Sequence, residues 1–227
     1  MHFPVELAWG PMRLPVHLLC EALAYTLGYR LYTRLRARTA DRISDDGRQW
    51  IFVGAAAGAL LGSRLLGLLE HPALLLHPPG GWLYYATNKT IVGGFLGGLI
   101  GVELTKKRLG ITASSGDLMV FPLLLGLGIG RVGCFLSGLE DGTYGTATAL
   151  PWGINFGDGI RRHPTNLYEI LFLDALAVLL WQLEYRQRLP NGRRFELFLA
   201  GYSANHRHQP SHLVGGSCGA AASEPGP

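Results

Sequence analysis

Long apolar stretches interrupt this chain, and nothing else in it restricts the fold as strongly. A helix needs roughly 17–25 largely apolar residues to cross the hydrocarbon core of a bilayer. Five stretches meet or approach that requirement: Leu14–Tyr32, the most polar, Trp50–Leu69, Thr90–Leu104, short and glycine-rich, Leu118–Leu136 and Asn166–Glu184. A sixth apolar run begins at Phe195 and stops near Tyr202, too short to cross. Charged residues make up 16% of the 227 residues, against roughly 25% in soluble domains. The expected fold is all-α: a polytopic integral-membrane helical bundle of five spans plus an incomplete sixth.

The basic residues of the connections alternate. Residues 33–49 hold Arg34, Arg36, Arg38, Arg42 and Arg48; residues 105–117 hold Lys106, Lys107 and Arg108; residues 185–194 hold Arg186, Arg188, Arg193 and Arg194. The intervening connections hold only Lys89, Arg161 and Arg162. The positive-inside rule places the richer set in the cytoplasm and the N-terminus outside. Arg13 is the only basic residue before the first span, and no small-residue cleavage site follows it, so no cleaved signal peptide is expected.

Gly54, Gly58 and Gly62 recur every four residues, as do Gly93, Gly97 and Gly101. Small residues at that spacing let helices approach closely in lipid, so these stripes predict packing. Gly128-Ile-Gly130-Arg-Val-Gly133 fits a dinucleotide-binding pattern, but no strand precedes it, and a nucleotide role is not expected. Cys20, Cys134 and Cys218 are far apart and odd in number, which excludes a disulfide framework and provides no zinc spacing.

Ionisable groups within apolar spans are expensive, about 2.5–3.5 kcal/mol each at mid-bilayer on insertion scales, and call for a partner or a function. His17 and Glu21 share one face of the first span. Arg64 reads as a snorkelling or paired side chain, and Glu103 and Asp174 as buried partners of Arg64 or of loop arginines. Arg131 differs, because it lies between Gly130 and Gly133, where no bulky neighbour bars a ligand. It precedes the longest polar connection, Ser137–Thr165, which contains Glu140, Asp141, Tyr144, Asn155, Asp158, Arg161, Arg162 and His163. That connection ends in His163-Pro-Thr-Asn-Leu-Tyr-Glu169, where Asn166 and Glu169 have the spacing of a reciprocal helix cap.

Through these residues the chain resembles the prolipoprotein diacylglyceryl transferase family. The matching stretches are Gly130-Arg-Val-Gly-Cys-Phe-Leu-Ser-Gly138, Gly142-Thr-Tyr-Gly145, Leu150-Pro-Trp-Gly153, Arg162-His-Pro-Thr-Asn-Leu-Tyr-Glu169 and the glycine-rich Gly93–Gly101, and the resemblance runs from about residue 10 to 202. It implies an enzyme of the bacterial inner (cytoplasmic) membrane that moves the diacylglyceryl group of phosphatidylglycerol onto the lipobox cysteine of a preprolipoprotein. The expected partners are phosphatidylglycerol, preprolipoprotein signal peptides and the lipid bilayer, with no nucleic acid, cofactor or metal. Arg131 matches the family's phospholipid-binding arginine. His17 or Glu140 is the expected base. His163, Asn166, Tyr168 and Glu169 are expected to shape the substrate site.

The chain also departs from the family. Val92 stands where a histidine is common, His17 where a tyrosine is common, and no arginine follows Gly201-Tyr202 in a matching context. Residues 203–227 are rich in Ser, His, Gly, Ala and Pro, so a domain over 1–202 is expected to give way to a disordered polar tail, out of frame or truncated relative to the family. His206, His208 and His212 in that tail are not read as a metal site. Two other readings stay open: a non-catalytic phospholipid-binding relative, and a small transporter, which would need polar residues through both leaflets.

Overall fold

A computed structural model describes residues 3–9, 12–39, 41–70, 90–187 and 189–208. The described elements are a hairpin of β1 (Glu6–Trp9) and β2 (Met12–Pro15), then α1 (Val16–Arg38), α2 (Asp45–Glu70), α3 (Ile91–Leu109), α4 (Val120–Ser137), a second small hairpin of β3 (Ile154–Asn155) and β4 (Arg161–Arg162), α5 (Thr165–Gln187) and α6 (Arg193–His208). Short 3-10 turns bracket α4, at Asp117–Met119 and Gly138–Asp141. The helices overlap every expected span, but the first begins at Val16, because Leu14 and Pro15 close the β1–β2 hairpin, and the third begins at Ile91.

Three of these helices are long and apolar enough to cross a membrane: Asp45–Leu69, Asp117–Asp141 with its flanking turns, and Thr165–Gln187. This makes the chain a helical membrane protein. It is narrower than the expected set of five, since α1 carries Glu21, Arg30, Arg34, Arg36 and Arg38, and α3 ends in Lys106, Lys107 and Arg108. On α2, Leu60, Leu61, Leu65 and Leu69 are exposed. Such a row suits contact with lipid, where apolar side chains need no protein cover.

The chain divides into two compact units. Asp41–Ala113 forms one, and the described residues before it and from Ser114 to His208 belong to the other. In the first unit, α2 and α3 meet through their glycine stripes. A Cβ on Gly58 would lie 2.1 Å from the Gly97 carbonyl oxygen, and one on Gly62 would lie 2.4 Å from that of Gly93. Both distances are far below van der Waals contact, so the backbones touch where side chains would stand, as the spacing predicts. The α3 helix ends at Gly110 (φ 68°), and the Ile111 N–H closes on the Lys106 carbonyl at 2.9 Å; a left-handed glycine is the common way to satisfy such terminal carbonyls. In the first turn of α2, Arg48 forms a two-pronged pair with Asp41, which precedes the helix, Nε to Oδ2 at 2.9 Å and Nη2 to Oδ1 at 2.8 Å, with both side chains buried. Glu103 pairs with Lys106 at 2.9 Å. The expected Glu103–Arg64 pairing is therefore replaced by one a single helical turn away, where i,i+3 side chains are neighbours.

In the other unit, α4 is central. It packs against α1 and α5, and α6 closes on α5. Val120, Leu124, Leu173, Leu180 and Phe198 are buried between them. Pro122 falls in the first turn of α4, where no intrahelical donor is missed. Asp117 anchors the start of α6: its carboxylate accepts from the Gly192 and Phe195 N–H groups, and Arg194, which also pairs with Glu184 at 2.8 Å, donates to the Asp117 carbonyl. The α6 helix continues past Tyr202 to His208, so the backbone stays ordered beyond the expected boundary. Residues 209–227 lie outside the described residues. Asp174 is exposed on α5.

Candidate functional site

The site begins with the length of α4, which carries Arg131 and Cys134 toward the polar connection. The 3-10 turn at Gly138–Asp141 then reverses the chain, with Gly138 at φ 63° and no room for a Cβ against Phe3. The connection folds back onto α4 rather than trailing into solvent. Phe156 is buried and packs against Phe3 and Phe135, with ring centroids 5.1 and 5.9 Å apart. Backbone bonds from Gly145 N–H to the His163 carbonyl, His163 N–H to that of Thr146, and Thr148 N–H to that of Arg161 hold its two arms together.

The centre of the arrangement is an ion pair. Arg131 Nε lies 2.8 Å from Glu169 Oε2, with side chains 12% and 4% exposed. Glu169 Oε1 accepts a hydrogen bond from the Tyr202 hydroxyl at 3.4 Å. One residue from α4 and one from α6 thus converge on a single buried carboxylate of α5. The expected capping role of Asn166 and Glu169 is overturned. The α5 helix already begins at Thr165, the Asn166 side chain lies 3.1 Å from the Thr143 hydroxyl oxygen, and the Glu169 carboxylate turns into the bundle. A buried guanidinium offers the carboxylate a stronger, charge-assisted bond than a backbone N–H.

A second group lies on the α1 side of α4. His17 Nε2 faces Glu21 Oε1 at 3.3 Å, while His17 Nδ1 is buried with no hydrogen-bond partner. Gly133 makes this approach feasible, since a Cβ there would stand 2.9 Å from the Cys20 Cβ and 3.1 Å from His17 Nδ1. One donor atom each of His17, Cys134 and Asp141 lie within 4.8 Å of one another. The Cys134 thiol is within electrostatic reach of both Asp141 and Arg131. Of the two adjacent acids, Asp141 turns inward and accepts from the Thr143 hydroxyl. Glu140, the acid expected in the site, is exposed and makes no side-chain hydrogen bond among the described residues. The tight 3-10 turn points neighbouring side chains in different directions, which spacing alone does not reveal.

His163 and Tyr168 form a third group, more exposed than the others. The Tyr168 hydroxyl accepts from Trp152 Nε1 at 2.7 Å and lies 3.3 Å from His163 Nδ1. Arg162 sits over the Tyr144 ring, 5.1 Å from its centre, and pairs with Asp158. Desolvation pushes the Asp158 carboxyl up, but the Ile160 N–H and the Arg162 guanidinium outweigh it and hold it below the ordinary carboxylate range. Asp141, Tyr202 and Trp152 were not among the expected site residues. The only signals for them were the paired acids at 140–141, the Gly201-Tyr202 dipeptide and the Leu-Pro-Trp-Gly stretch.

A helical membrane protein with a buried Arg–Glu–Tyr cluster beneath a folded polar connection is the class these features define. The sequence model of the prolipoprotein diacylglyceryl transferase family matches residues 4–207, and the chain belongs to that family. It is 38% identical over 160 residues to the phosphatidylglycerol–prolipoprotein diacylglyceryl transferase of Methylobacillus flagellatus, covering 68% of this chain and 59% of that protein. Similarity extends further along the proteins of the same name from Bordetella parapertussis, 35% identical over 88% of this chain and 78% of the relative, and Legionella pneumophila strain Corby, 30% identical over 93% and 86%.

Proposed function

We propose that this chain transfers the diacylglyceryl group of phosphatidylglycerol to the lipobox cysteine of preprolipoproteins, with Arg131 holding the lipid phosphate. The observation that carries this reading is the Arg131–Glu169 pair, 2.8 Å long and nearly sealed from solvent. A guanidinium has five N–H donors in a planar fork. Glu169 lies against Nε and fixes the plane, and the guanidinium, which also reaches the Tyr202 hydroxyl and the Cys134 thiol, turns its Nη donors to an anionic phosphodiester when lipid binds. In a site of low dielectric such donors stabilise the charge that grows on a leaving phosphate.

The reaction needs one proton transfer. A carbon–sulfur bond forms at the glycerol carbon that bears the phosphate, the carbon–oxygen bond breaks, and glycerol phosphate leaves with the electron pair. The client thiol gives up its proton to a base. His17 suits that task better than Glu140, because its Nδ1 is buried and unpartnered beside Gly133 whereas Glu140 points outward. His163, Tyr168 and Trp152 form the rim where a headgroup or signal peptide would pass, and Asn166 braces the floor through Thr143. The finer topology belongs to the same proposal: α1 to α5 each cross the cytoplasmic membrane, with the N-terminus and the 137–165 connection outside.

The test is transfer of labelled phosphatidylglycerol to a lipobox peptide by the full chain reconstituted in vesicles. Arg131→Ala is expected to lower turnover by at least ~100-fold, the usual cost of removing a donor to developing negative charge. Undiminished turnover in that variant overturns the assignment. A wild-type chain that binds phosphatidylglycerol without transferring it selects the non-catalytic lipid-binding reading.

A further inference from the structure

Between α1 and the end of α4, three side chains of metal-ligand chemistry converge from positions far apart in the chain. His17 comes from α1, Cys134 from the last turns of α4, and Asp141 from the 3-10 turn that follows. One donor atom of each falls within 4.8 Å of the others. In a tetrahedral zinc-type site, ligand atoms stand about 3.4–3.6 Å apart. Closure therefore asks for side-chain shifts of ~1 Å and no change of backbone.

The histidine is already arranged as a ligand. Glu21 Oε1 lies 3.3 Å from His17 Nε2. A carboxylate only accepts, so the tautomer that suits this contact carries its proton on Nε2 and keeps the lone pair on Nδ1. Nδ1 faces α4 beside Gly133, is buried, and meets no hydrogen-bond partner. A carboxylate behind the far ring nitrogen is the usual outer support of a metal-bound histidine. An orphaned buried nitrogen is costly unless something fills its lone pair.

The charges also balance. Thiolate and carboxylate supply two negative charges against a divalent ion, and the imidazole stays neutral. Arg131, the nearest cation, is already compensated by Glu169. We infer that His17, Cys134 and Asp141 form a binding site for a divalent transition metal of borderline softness, such as Zn²⁺ or Co²⁺, with Glu21 as its outer support. Binding releases the Cys134 thiol proton to solvent, leaves at least one coordination position for water, and occupies the His17 Nδ1 lone pair, so the metal-loaded chain cannot use His17 as the base and metal binding competes with transfer. Mixed sulfur, nitrogen and oxygen donors select such ions over Mg²⁺ or Ca²⁺.

The experiment adds Co²⁺ alone to the full chain in lipid nanodiscs. Its readout is the near-ultraviolet sulfur-to-cobalt charge-transfer band, which does not depend on transferase activity. One cobalt per chain is expected, with a band that Cys134→Ser abolishes and Zn²⁺ displaces. No band in folded wild-type protein, or a band that survives Cys134→Ser, overturns the site. Glu21 is half exposed, with 50% of its side chain accessible, so Glu21→Gln does not threaten the fold. That variant is expected to weaken cobalt binding about 10–100-fold, the range for loss of an outer-shell partner. Unchanged affinity also overturns the inference.

Discussion

Glu169 Oε2 lies 2.8 Å from Arg131 Nε in a buried ion pair while its other oxygen, Oε1, accepts from the Tyr202 hydroxyl at 3.4 Å. The carboxylate is thus divided between a helix before it and a helix after it. Glu169→Gln keeps the shape and removes the charge, which leaves a buried guanidinium uncompensated. Breaking a buried pair from one side costs about 3–5 kcal/mol. The variant is expected to unfold at markedly lower temperature in detergent, while Tyr202→Phe, which removes a neutral hydroxyl and leaves the ion pair in place, loses less, about 1.5–3 kcal/mol. Equal Tm values for Glu169→Gln and wild type would count against the pair as a support of the fold.

The contact between α2 and α3 predicts intolerance to any side chain. Gly97→Val puts a branched group where the Gly58 carbonyl oxygen lies only 2.2 Å from an ideal Cβ. Overpacking usually costs 1–3 kcal/mol, and here the obstacle is backbone, which cannot rotate aside. A cysteine pair placed at Ala55 and Gly98, where the ideal Cβ of Gly98 lies 3.5 Å from the Ala55 carbonyl, reports the same contact by cross-linking. The Gly97→Val change is expected to abolish that cross-link.

Asp41 and Arg48 predict a stability effect remote from the site. Their bidentate pair is buried on both sides. Asp41→Ala is expected to cost about 3–5 kcal/mol of unfolding free energy, read by chemical denaturation. Arg131-dependent lipid binding should be kept by the molecules that remain folded.

The small hairpin predicts a pH dependence. Asp158 is exposed, and its carboxyl is held below the ordinary range despite desolvation, chiefly by the Ile160 N–H and Arg162. A depressed folded value means stability that is fully present above the unfolded carboxylate pKa of about 3.9 and lost as pH falls through the folded value. Amide exchange at Gly157, Gly159 and Ile160 should accelerate as pH drops below about 4 relative to intrinsic rates. In Asp158→Asn that acid limb should vanish; its persistence would show that a different carboxylate carries it, since the Asn155 side chain, which accepts from Gly157 and Gly159 at 2.8 and 3.1 Å, does not titrate.

Much of this molecule follows from the order of its residues. Helix positions follow from runs of apolar side chains, because a backbone in lipid must satisfy its own hydrogen bonds. The glycine stripes foretell the α2–α3 contact because a four-residue spacing repeats on one helix face. Arg131 and Glu169 were each conspicuous as charges at the edge of apolar runs. What the linear order could not decide is direction. Whether Glu169 caps its own helix or crosses to α4, and whether Glu140 or Asp141 turns inward, depends on a tight turn and on which helix stands opposite. The meeting of His17 with Cys134 and Asp141 lies furthest from the sequence, for it requires α1 to lie against Gly133, a contact between residues more than a hundred positions apart. Periodicity acts within one segment, whereas a site of this kind is made by the packing of several.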